Sequence, residues 1–378
     1  MTDDRTVRLE EDFARLFGRR PEVLREAYGR VNLIGEHTDY NDGFVLPTSI
    51  PQSTIAAFGR HADRRVCVWS GELSPGDTFE QFDLAAESPR RSWIDYVQGV
   101  AQALARAGFH VGGFDLALRS TVPLGSGLSS SAALQVAVLR GLRDLFGLTL
   151  DDVTLAKLGQ RAEVDFVGAP VGIMDQMASS LAQPGVALFI DTRSLAYEQV
   201  HLPADTELAV INSGVAHNHA AGDYRTRRAE CERAAGLLGV AALRDLGLGE
   251  VGRVLSLPDP INRRARHVIT ENQRVLDAVA AMRRGDAKVL GHLFSASHAS
   301  QRDDYAVSVP EVDCLVELAW EEAAVYGARL TGGGFGGSIV ALVRRGEAAG
   351  VAARVAAEYG KRVDRVATVL VPQPQGRD

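Results

Sequence analysis

Three hydroxyl side chains follow a glycine-rich turn in the stretch PLGSGLSSSAAL, residues 123–134, and an apolar helical pattern comes directly after them. The unpaired N–H groups at a helix N-terminus, together with the helix dipole, attract anions. The stretch therefore predicts a phosphate site, and serines that only cap a helix are the alternative. Leu128 stands where a P-loop has its lysine, and no third glycine completes a dinucleotide-binding fingerprint. A dehydrogenase is therefore not indicated.

Five glycines occur within the eight residues TGGGFGGS, 331–338. Such a density lets a backbone approach a neighbouring group closely, at a cost in the entropy of the unfolded chain. The stretch indicates a functional loop, and a wide hairpin loop is the alternative.

Polar residues directly follow a short apolar run in GRVNLIGEHTDYNDGFVLP, residues 29–47. Arg30 precedes that run, and Glu36, His37 and Asp39 follow it. Donors and acceptors crowded in this way suit a ligand rich in hydroxyl groups, because each hydroxyl both donates and accepts a hydrogen bond. A solvated polar turn is the alternative.

Two carboxylates could serve a phosphate ligand and its metal ion. Asp175, in GAPVGIMDQMASS, is predicted to lie in the first turn of a short helix, whose dipole favours the ionised carboxylate. An ionised carboxylate accepts or orients the proton of an attacking hydroxyl. Glu163 offers a hard oxygen ligand for Mg²⁺, with a serine hydroxyl as another. The alternatives are an N-cap carboxylate at Asp175 and a surface glutamate at position 163.

Taken together, these stretches predict phosphoryl transfer. That reaction depends on positioning, charge neutralisation and a polarised nucleophile rather than on covalent help from the protein. Arg30 would balance the charge on the moving phosphoryl group or act on Asp175, and its planar fork suits this better than a lysine would.

The elements that must position these residues follow from hydrophobic periodicity. We predict helices near 130–146, 152–166, 222–238, 263–285, 310–326 and 347–359. We predict strands in FDLALRSTVP, GVALFIDTRSL, TELAVINSG and ATVLVP, and on both sides of the second glycine stretch. This order is typical of an α+β protein. The segment HLPADT, 201–206, is the expected boundary between an N-terminal domain, 1–203, and a C-terminal domain, 204–378.

Composition narrows the class of protein. The chain has 378 residues, of which 46% are hydrophobic and 24% charged, as expected for a globular protein. Its net charge of −7 argues against nucleic-acid and membrane-surface partners. Three scattered cysteines exclude a disulfide framework and a zinc ribbon, and the acidic N-terminus does not read as a signal peptide. We therefore expect a cytoplasmic protein.

The motifs quoted above resemble those of the GHMP kinases, and within them the galactokinase family. GRVNLIGEHTDYNDG is similar to the galactokinase signature, PLGSGLSSSAA to the ATP-loop motif and TGGGFGGS to the third motif, in the family's order. Similar stretches extend from about residue 20 to about residue 345. The resemblance implies a two-domain GHMP kinase fold with its active site in the cleft between the domains. It also implies ATP- and Mg²⁺-dependent phosphorylation of the C1 hydroxyl of α-D-galactose, the first committed step of galactose catabolism.

By the same resemblance, Asp175 is the catalytic carboxylate and Arg30 its partner. The implied sugar contacts are Glu36, His37, Asp39, Gly172, Asp175 and Tyr224. The implied ATP contacts are Gly125, Ser126, Gly127, Leu128, Ser129, Ser130, Ser131 and Trp93. Ser130 or Ser131 would hold Mg²⁺ with Glu163. Trp93 and Tyr96 fall where the family has aromatic contacts near the adenine, and core packing is the alternative for both.

Two other functions stay open from the sequence. One is a related sugar kinase that acts on N-acetylgalactosamine, arabinose or galacturonate. The other is a sensor that binds galactose and ATP without turnover, although Asp175, Arg30 and the serine run are all present. His217 and His219 lie in a segment expected to face the sugar, for which an exposed loop is the alternative. We expect galactose and ATP as partners, and a monomer or weak dimer.

Overall fold

The computed structural model describes residues 4–72, 78–215 and 220–371, so His217 and His219 lie outside the described residues. The chain forms two compact units. The first consists of Met1–Gly29, Gln52–Pro123 and Ser129–Leu181, and the second of Arg30–Pro51, Leu124–Leu128 and Ala182–Asp378. The domain division expected between residues 203 and 204 stays a prediction.

Eleven α-helices and twelve strands are present in the described part of the chain. The helices are α1 (Asp4–Phe17), α2 (Asp95–Arg106), α3 (Ser130–Phe146), α4 (Asp152–Arg161), α5 (Met174–Leu181), α6 (Ala220–Leu238), α7 (Val251–Leu255), α8 (Ile261–Arg283), α9 (Ala287–Ser300), α10 (Pro310–Trp320) and α11 (Ala348–Val363). The strands are β1 (Val23–Asn32), β2 (Phe44–Val45), β3 (Pro47–Arg60), β4 (Arg65–Ser70), β5 (Phe79–Asp83), β6 (Phe114–Ser120), β7 (Val186–Asp191), β8 (Tyr197–His201), β9 (Thr206–Asn212), β10 (Val325–Thr331), β11 (Ser338–Arg344) and β12 (Thr368–Val371).

In the first unit, helices pack on a sheet built around β6. That strand pairs antiparallel with the end of β3 and parallel with β4, which in turn pairs antiparallel with β5. Helix α3 packs very close to the sheet at Gly141. Any side chain there would clash, since a Cβ atom would come within 1.9 Å of the Phe58 ring. This close approach and the buried apolar face of α3 fix the helix whose first turn carries Ser130 and Ser131, with Ser129 directly before it.

The second unit contains a four-stranded antiparallel sheet in the order β10-β11-β9-β12. Helices supply the rest of its hydrophobic core, which includes Val268 of α8, Leu315 of α10 and Val351 of α11. Strand β7 pairs antiparallel with β2 and β8 in the same unit. The connection between β10 and β11 is the second glycine stretch.

Most of the predicted elements are confirmed, and α3 has the predicted bounds of residues 130 and 146. Two predicted helices end differently. The helix expected near 310–326 ends at Trp320, because Val325 onward pairs with β11 as strand β10. The helix expected near 152–166 ends at Arg161 and continues as a π-helical turn, Ala162–Val167. Among the residues described, none of the helices has the length and apolar character that crossing a membrane requires.

Candidate active site

In the first unit, the serine run meets the predicted catalytic carboxylate. Helix α3 begins at Ser130, and Ser129 precedes it in the left-handed conformation with a φ of 62°. The expectation that a serine caps this helix is wrong for Ser129, since a capping residue normally has an extended backbone that aims its side chain at the helix N–H groups. The Ser129 hydroxyl instead lies 2.6 Å from Oδ2 of Asp175 and donates to it.

Asp175 lies in the first turn of α5, as predicted, and is partly buried. Glu163 lies in the π-helical turn and is buried, so the alternative of a surface glutamate is wrong. Burial and the nearby negative charge of Asp175 raise the pKa of Glu163 to about 7, against the lowering by hydrogen bonds from Ser131, Gln135 and Gln176. The two carboxylates are therefore close enough to repel each other.

The groups around Glu163 fit a magnesium ion. Its carboxylate accepts from the Gln176 amide at 2.9 Å and also from the Ser131 hydroxyl at the start of α3. Carboxylate and hydroxyl oxygens are the hard ligands that Mg²⁺ prefers. A divalent cation would also relieve the repulsion between Glu163 and Asp175. Ser130 is the neighbouring residue in the same helical turn.

The remaining predicted residues of the first unit are Gly172 and Trp93. Gly172 is buried and lies just before α5. Trp93 is partly buried and packs against the hydrophobic core of the unit. This agrees with core packing, the alternative to an adenine contact. Tyr96 is also partly buried, and burial with the charges of Glu163 and Asp95 raises its pKa. An adenine contact for the two aromatic residues stays a prediction.

In the second unit, Arg30 holds the glycine turn of residues 124–128. Its backbone N–H donates to the Leu128 carbonyl at 3.1 Å, and its guanidinium donates to the Gly127 carbonyl at 2.6 Å. The Ser338 hydroxyl donates to the Ser126 carbonyl at 2.8 Å. The structure thus brings together Arg30, Ser126, Gly127 and Leu128, four of the predicted residues, with the third motif.

Close backbone approach explains three of the five glycines of the third motif. A Cβ atom at Gly332 would lie 3.0 Å from the Gly127 carbonyl oxygen, and one at Gly334 or Gly336 would lie 2.5 Å from the carbonyl oxygen of Val307 or Val215. These glycines also have positive φ angles of 88°, 81° and 127°. The stretch connects the antiparallel strands β10 and β11 and packs against the glycine turn of residues 124–128, and its functional role stays a prediction.

The predicted sugar contacts Glu36, His37, Asp39 and Tyr224 all belong to the second unit. The His37 ring lies 5.3 Å from the Tyr224 ring, centroid to centroid, and His37 has a left-handed φ of 62° that is unusual for a residue with a side chain. Asp39 opens a short 3₁₀ turn and accepts from the Tyr40 N–H at 3.0 Å. The structure therefore gathers His37 and Tyr224 side by side.

Glu36 is buried and bound on both carboxylate oxygens. Oε2 contacts the Arg329 guanidinium, and Oε1 accepts from the Gly332 N–H at 3.1 Å. The Arg329 side chain has no exposed surface and also donates to the Leu33 carbonyl at 2.9 Å and to the Ser297 hydroxyl at 3.1 Å. One buried cation thus joins the first sequence motif, helix α9 and strand β10.

A second buried carboxylate completes this group. Glu271 of α8 lies 3.8 Å from Arg329 and accepts from Arg274 at 2.6 Å, from Ser297 at 2.6 Å and from the Gly35 N–H at 2.9 Å. Burial would raise the pKa of Glu271, but Arg274, His267 and Arg329 together hold it below its ordinary value. Burial dominates at Glu36 and raises its pKa to about 7 despite the charge of Arg329.

Sequence reasoning missed Arg329 and Glu271. A signal for Arg329 was present, since it is a single charge between apolar residues of the strand signal ARLT. Glu271 and His267 are four residues apart and so share one face of α8, which the structure shows to be buried. The hydroxyl of Ser129 was assigned to ATP, with no indication that it contacts Asp175.

Family models match three parts of the chain. The galactokinase galactose-binding signature matches residues 11–60, the GHMP kinases N terminal domain matches residues 95–183 and the GHMP kinases C terminal domain matches residues 278–361. The galactokinase of Streptomyces coelicolor is 45% identical over 347 residues, which cover 90% of this chain and 89% of that protein. The chain belongs to the galactokinase family.

Other relatives agree with this family. The galactokinase of Roseiflexus sp. is 43% identical and covers 97% of this chain and 95% of its own length. The crystal structure of Lactococcus lactis galactokinase complexed with galactose has a TM-score of 0.92 and 34% identity, with 97% of both chains covered. The mevalonate kinase of Methanococcus jannaschii, at 16% identity, has a TM-score of 0.67 over 92% of this chain and 97% of its own, and supports the fold alone. The predicted GHMP kinase fold is confirmed.

Replacement of Arg329 by methionine should destabilise the protein strongly, because it leaves the buried Glu36 and Glu271 without their shared cation. Removal of one partner from a buried ion pair typically costs about 3–5 kcal/mol. The measurement is the urea midpoint of Arg329→Met against Arg362→Met, whose arginine pairs with Glu321 at the surface and should stay near wild type. Equal midpoints for the two variants would contradict the structural role given to Arg329.

Proposed function

We propose that this chain is a galactokinase that transfers the γ-phosphoryl group of ATP to the C1 hydroxyl of α-D-galactose. The products are galactose 1-phosphate and ADP. The observation that carries the proposal is the 34% identity, over 97% of the chain, to a galactokinase solved with galactose. The galactokinase signature at residues 11–60 and the Asp175 carboxylate held by Ser129 agree with it.

In the proposed reaction, Asp175 accepts the proton of the C1 hydroxyl. The hydroxyl oxygen forms a bond to the γ-phosphorus while the bond from that phosphorus to the bridging oxygen of ADP breaks. The hydrogen bond from Ser129 orients the carboxylate that receives the proton. Arg30 contributes positive charge toward the transferred group. Its hydrogen bond to the Gly127 carbonyl also stabilises the glycine turn of residues 124–128.

The remaining assignments follow the family motifs. Residues 125–131 bind the phosphates through backbone N–H groups and serine hydroxyls, with Trp93 near the adenine. Glu36, His37, Asp39, Gly172 and Tyr224 bind the sugar, whose hydroxyls need both donors and acceptors. Ser130 or Ser131 and Glu163 would hold Mg²⁺. When bound, this ion neutralises phosphate charge during transfer.

The direct test is ADP release by the purified protein with MgATP and a panel of sugars. The panel contains galactose, N-acetylgalactosamine, arabinose, galacturonate and glucose, and the sugar phosphate is identified by NMR. Turnover should be largest on galactose, with phosphate on C1. Greater turnover on another sugar would overturn the substrate, and galactose binding without ADP release would overturn the kinase activity.

Replacement of Asp175 by asparagine should keep galactose binding and remove most turnover. Asparagine has the same size but cannot take the proton, and loss of a general base costs about 10²–10⁴-fold in rate. Steady-state kinetics give kcat, and calorimetry gives the galactose Kd. The control is Asp165→Asn, which removes an exposed carboxylate from the π-helical turn. A near-normal kcat in Asp175→Asn would show that the role of Asp175 is wrong.

Replacement of Glu163 by glutamine should raise the Mg²⁺ concentration needed for half-maximal activity by at least about tenfold. Loss of a residue that only supports a metal ligand already lowers metal affinity by about 10–100-fold, and loss of the ligand itself should lower it at least as much. Kinetics at fixed ATP with varied Mg²⁺ measure this, again with Asp165→Asn as the control. An unchanged metal requirement would move the ligand to another residue.

A further inference from the structure

A chain of hydrogen-bonding side chains in the second unit ends at His37. The Cys231 thiol lies 3.1 Å from the Tyr305 hydroxyl, which lies 2.7 Å from the Tyr40 hydroxyl. The Tyr40 hydroxyl lies 2.8 Å from Nδ1 of His37, and Nε2 of His37 lies 3.2 Å from the Gly333 carbonyl oxygen. Cys231 and Tyr305 are buried, Tyr40 is partly buried and Gly333 is exposed.

The carbonyl at one end fixes the direction of every proton in this chain. A carbonyl oxygen only accepts, so Nε2 of His37 must carry hydrogen. Burial lowers the pKa of His37 to about 3, so the ring is neutral and has one N–H. Nδ1 therefore accepts, and its donor is the Tyr40 hydroxyl.

The same argument extends to the buried end. The single proton of Tyr40 is used on His37, so Tyr305 donates to the Tyr40 oxygen. The proton of Tyr305 is then used, and Cys231 donates to the Tyr305 oxygen. Burial raises the pKa of Cys231 to about 11, which keeps the thiol proton in place. The opposite tautomer would aim the Nε2 lone pair at the Gly333 carbonyl oxygen, and two lone pairs repel.

We propose that Tyr40 and Tyr305 are positioning residues that keep the hydrogen of the His37 ring on Nε2. This nitrogen can then only donate a hydrogen bond, and it donates to a hydroxyl oxygen of the sugar. This contact rests on the galactokinase function proposed above, whereas the tautomer does not. The distance of 3.2 Å to Gly333 is at the long end for such a hydrogen bond, and Gly333 is the exposed end of the chain. A sugar hydroxyl can therefore replace that carbonyl as the acceptor.

A donor-only histidine has a consequence for recognition. The sugar hydroxyl that binds His37 must accept a hydrogen bond from Nε2–H, and it cannot donate one to this ring nitrogen. Fluorine accepts a hydrogen bond weakly and cannot donate one, whereas hydrogen does neither. At the hydroxyl that meets His37, a fluoro-galactose should therefore bind better than the deoxy-galactose, and Tyr40→Phe should weaken that preference.

The first measurement uses the sugar-free protein labelled with ¹⁵N-histidine, with His37 assigned by its loss in His37→Gln. The ¹⁵N shifts should show a protonated Nε2 and a hydrogen-bonded, unprotonated Nδ1. In Tyr40→Phe, the Nδ1 resonance should move toward the position of a free lone pair while Nε2 stays protonated. A proton on Nδ1 in the wild type would overturn the proposal.

The second measurement is the galactose Kd of Tyr40→Phe by calorimetry. Loss of this partly buried hydrogen bond, which holds the His37 ring, should raise the Kd about tenfold. Tyr305→Phe keeps the Tyr40 donor and should cause a smaller change. The control is Tyr326→Phe, since that hydroxyl lies 3.4 Å from Asp205 in the same unit, away from this chain.

The outcomes separate the two proposals. A wild-type Kd in a folded Tyr40→Phe, or an equal effect in Tyr326→Phe, would overturn the positioning role. No preference for fluoro- over deoxy-galactose at any position would overturn the donor contact. If the wild type bound no galactose, the sugar contact would fall with the proposed function, and the NMR result would still decide the tautomer.

Discussion

The guanidinium of Arg329 is the buried charge on which the second unit depends. It has no contact with solvent, and it meets Glu36, the Leu33 carbonyl and the Ser297 hydroxyl at once. A buried cation is tolerated only when its hydrogen bonds are satisfied and its charge is balanced. The galactokinase signature supplies the Leu33 carbonyl and the Glu36 carboxylate, and helices α9 and α8 add Ser297 and Glu271. The shape of the signature is therefore set partly by a residue almost three hundred positions away.

The buried pair of Arg329 and Glu36 also determines how the two glycine stretches pack together. Glu36 holds the Gly332 N–H, which brings the third motif to the signature, and Gly332 packs on the carbonyl of Gly127. Arg30 binds the other side of that turn through Gly127 and Leu128. A side chain at Gly332 would lie 3.0 Å from a backbone oxygen and would be strained by the φ of 88°. Gly332 is thus needed for packing between the two glycine stretches, whatever these stretches also contribute to phosphate binding.

Local patterns predicted the elements well because hydrophobic periodicity is a property of neighbouring residues. The bounds of α3 and the placement of Asp175 in a first helical turn were predictable in this way. The left-handed Ser129, the π-helical turn at Glu163 and the Arg329 cluster were not, since each depends on partners far along the chain. Ser129 turns toward Asp175, forty-six residues later, instead of capping its own helix. Family resemblance supplied residue roles, but it contained no information on these contacts.

Glu36 would combine its structural role with the sugar contact proposed for it. Both of its oxygens are already engaged, yet a carboxylate offers about four lone-pair positions and so retains acceptor capacity for a hydroxyl. Its contacts with Arg329 and Gly332 already fix the rotamer of the Glu36 side chain when no ligand is bound. A sugar hydroxyl that binds such a carboxylate has less side-chain entropy to overcome than it would at a mobile one. A buried network that stabilises the fold would in this way also prepare the site for its substrate.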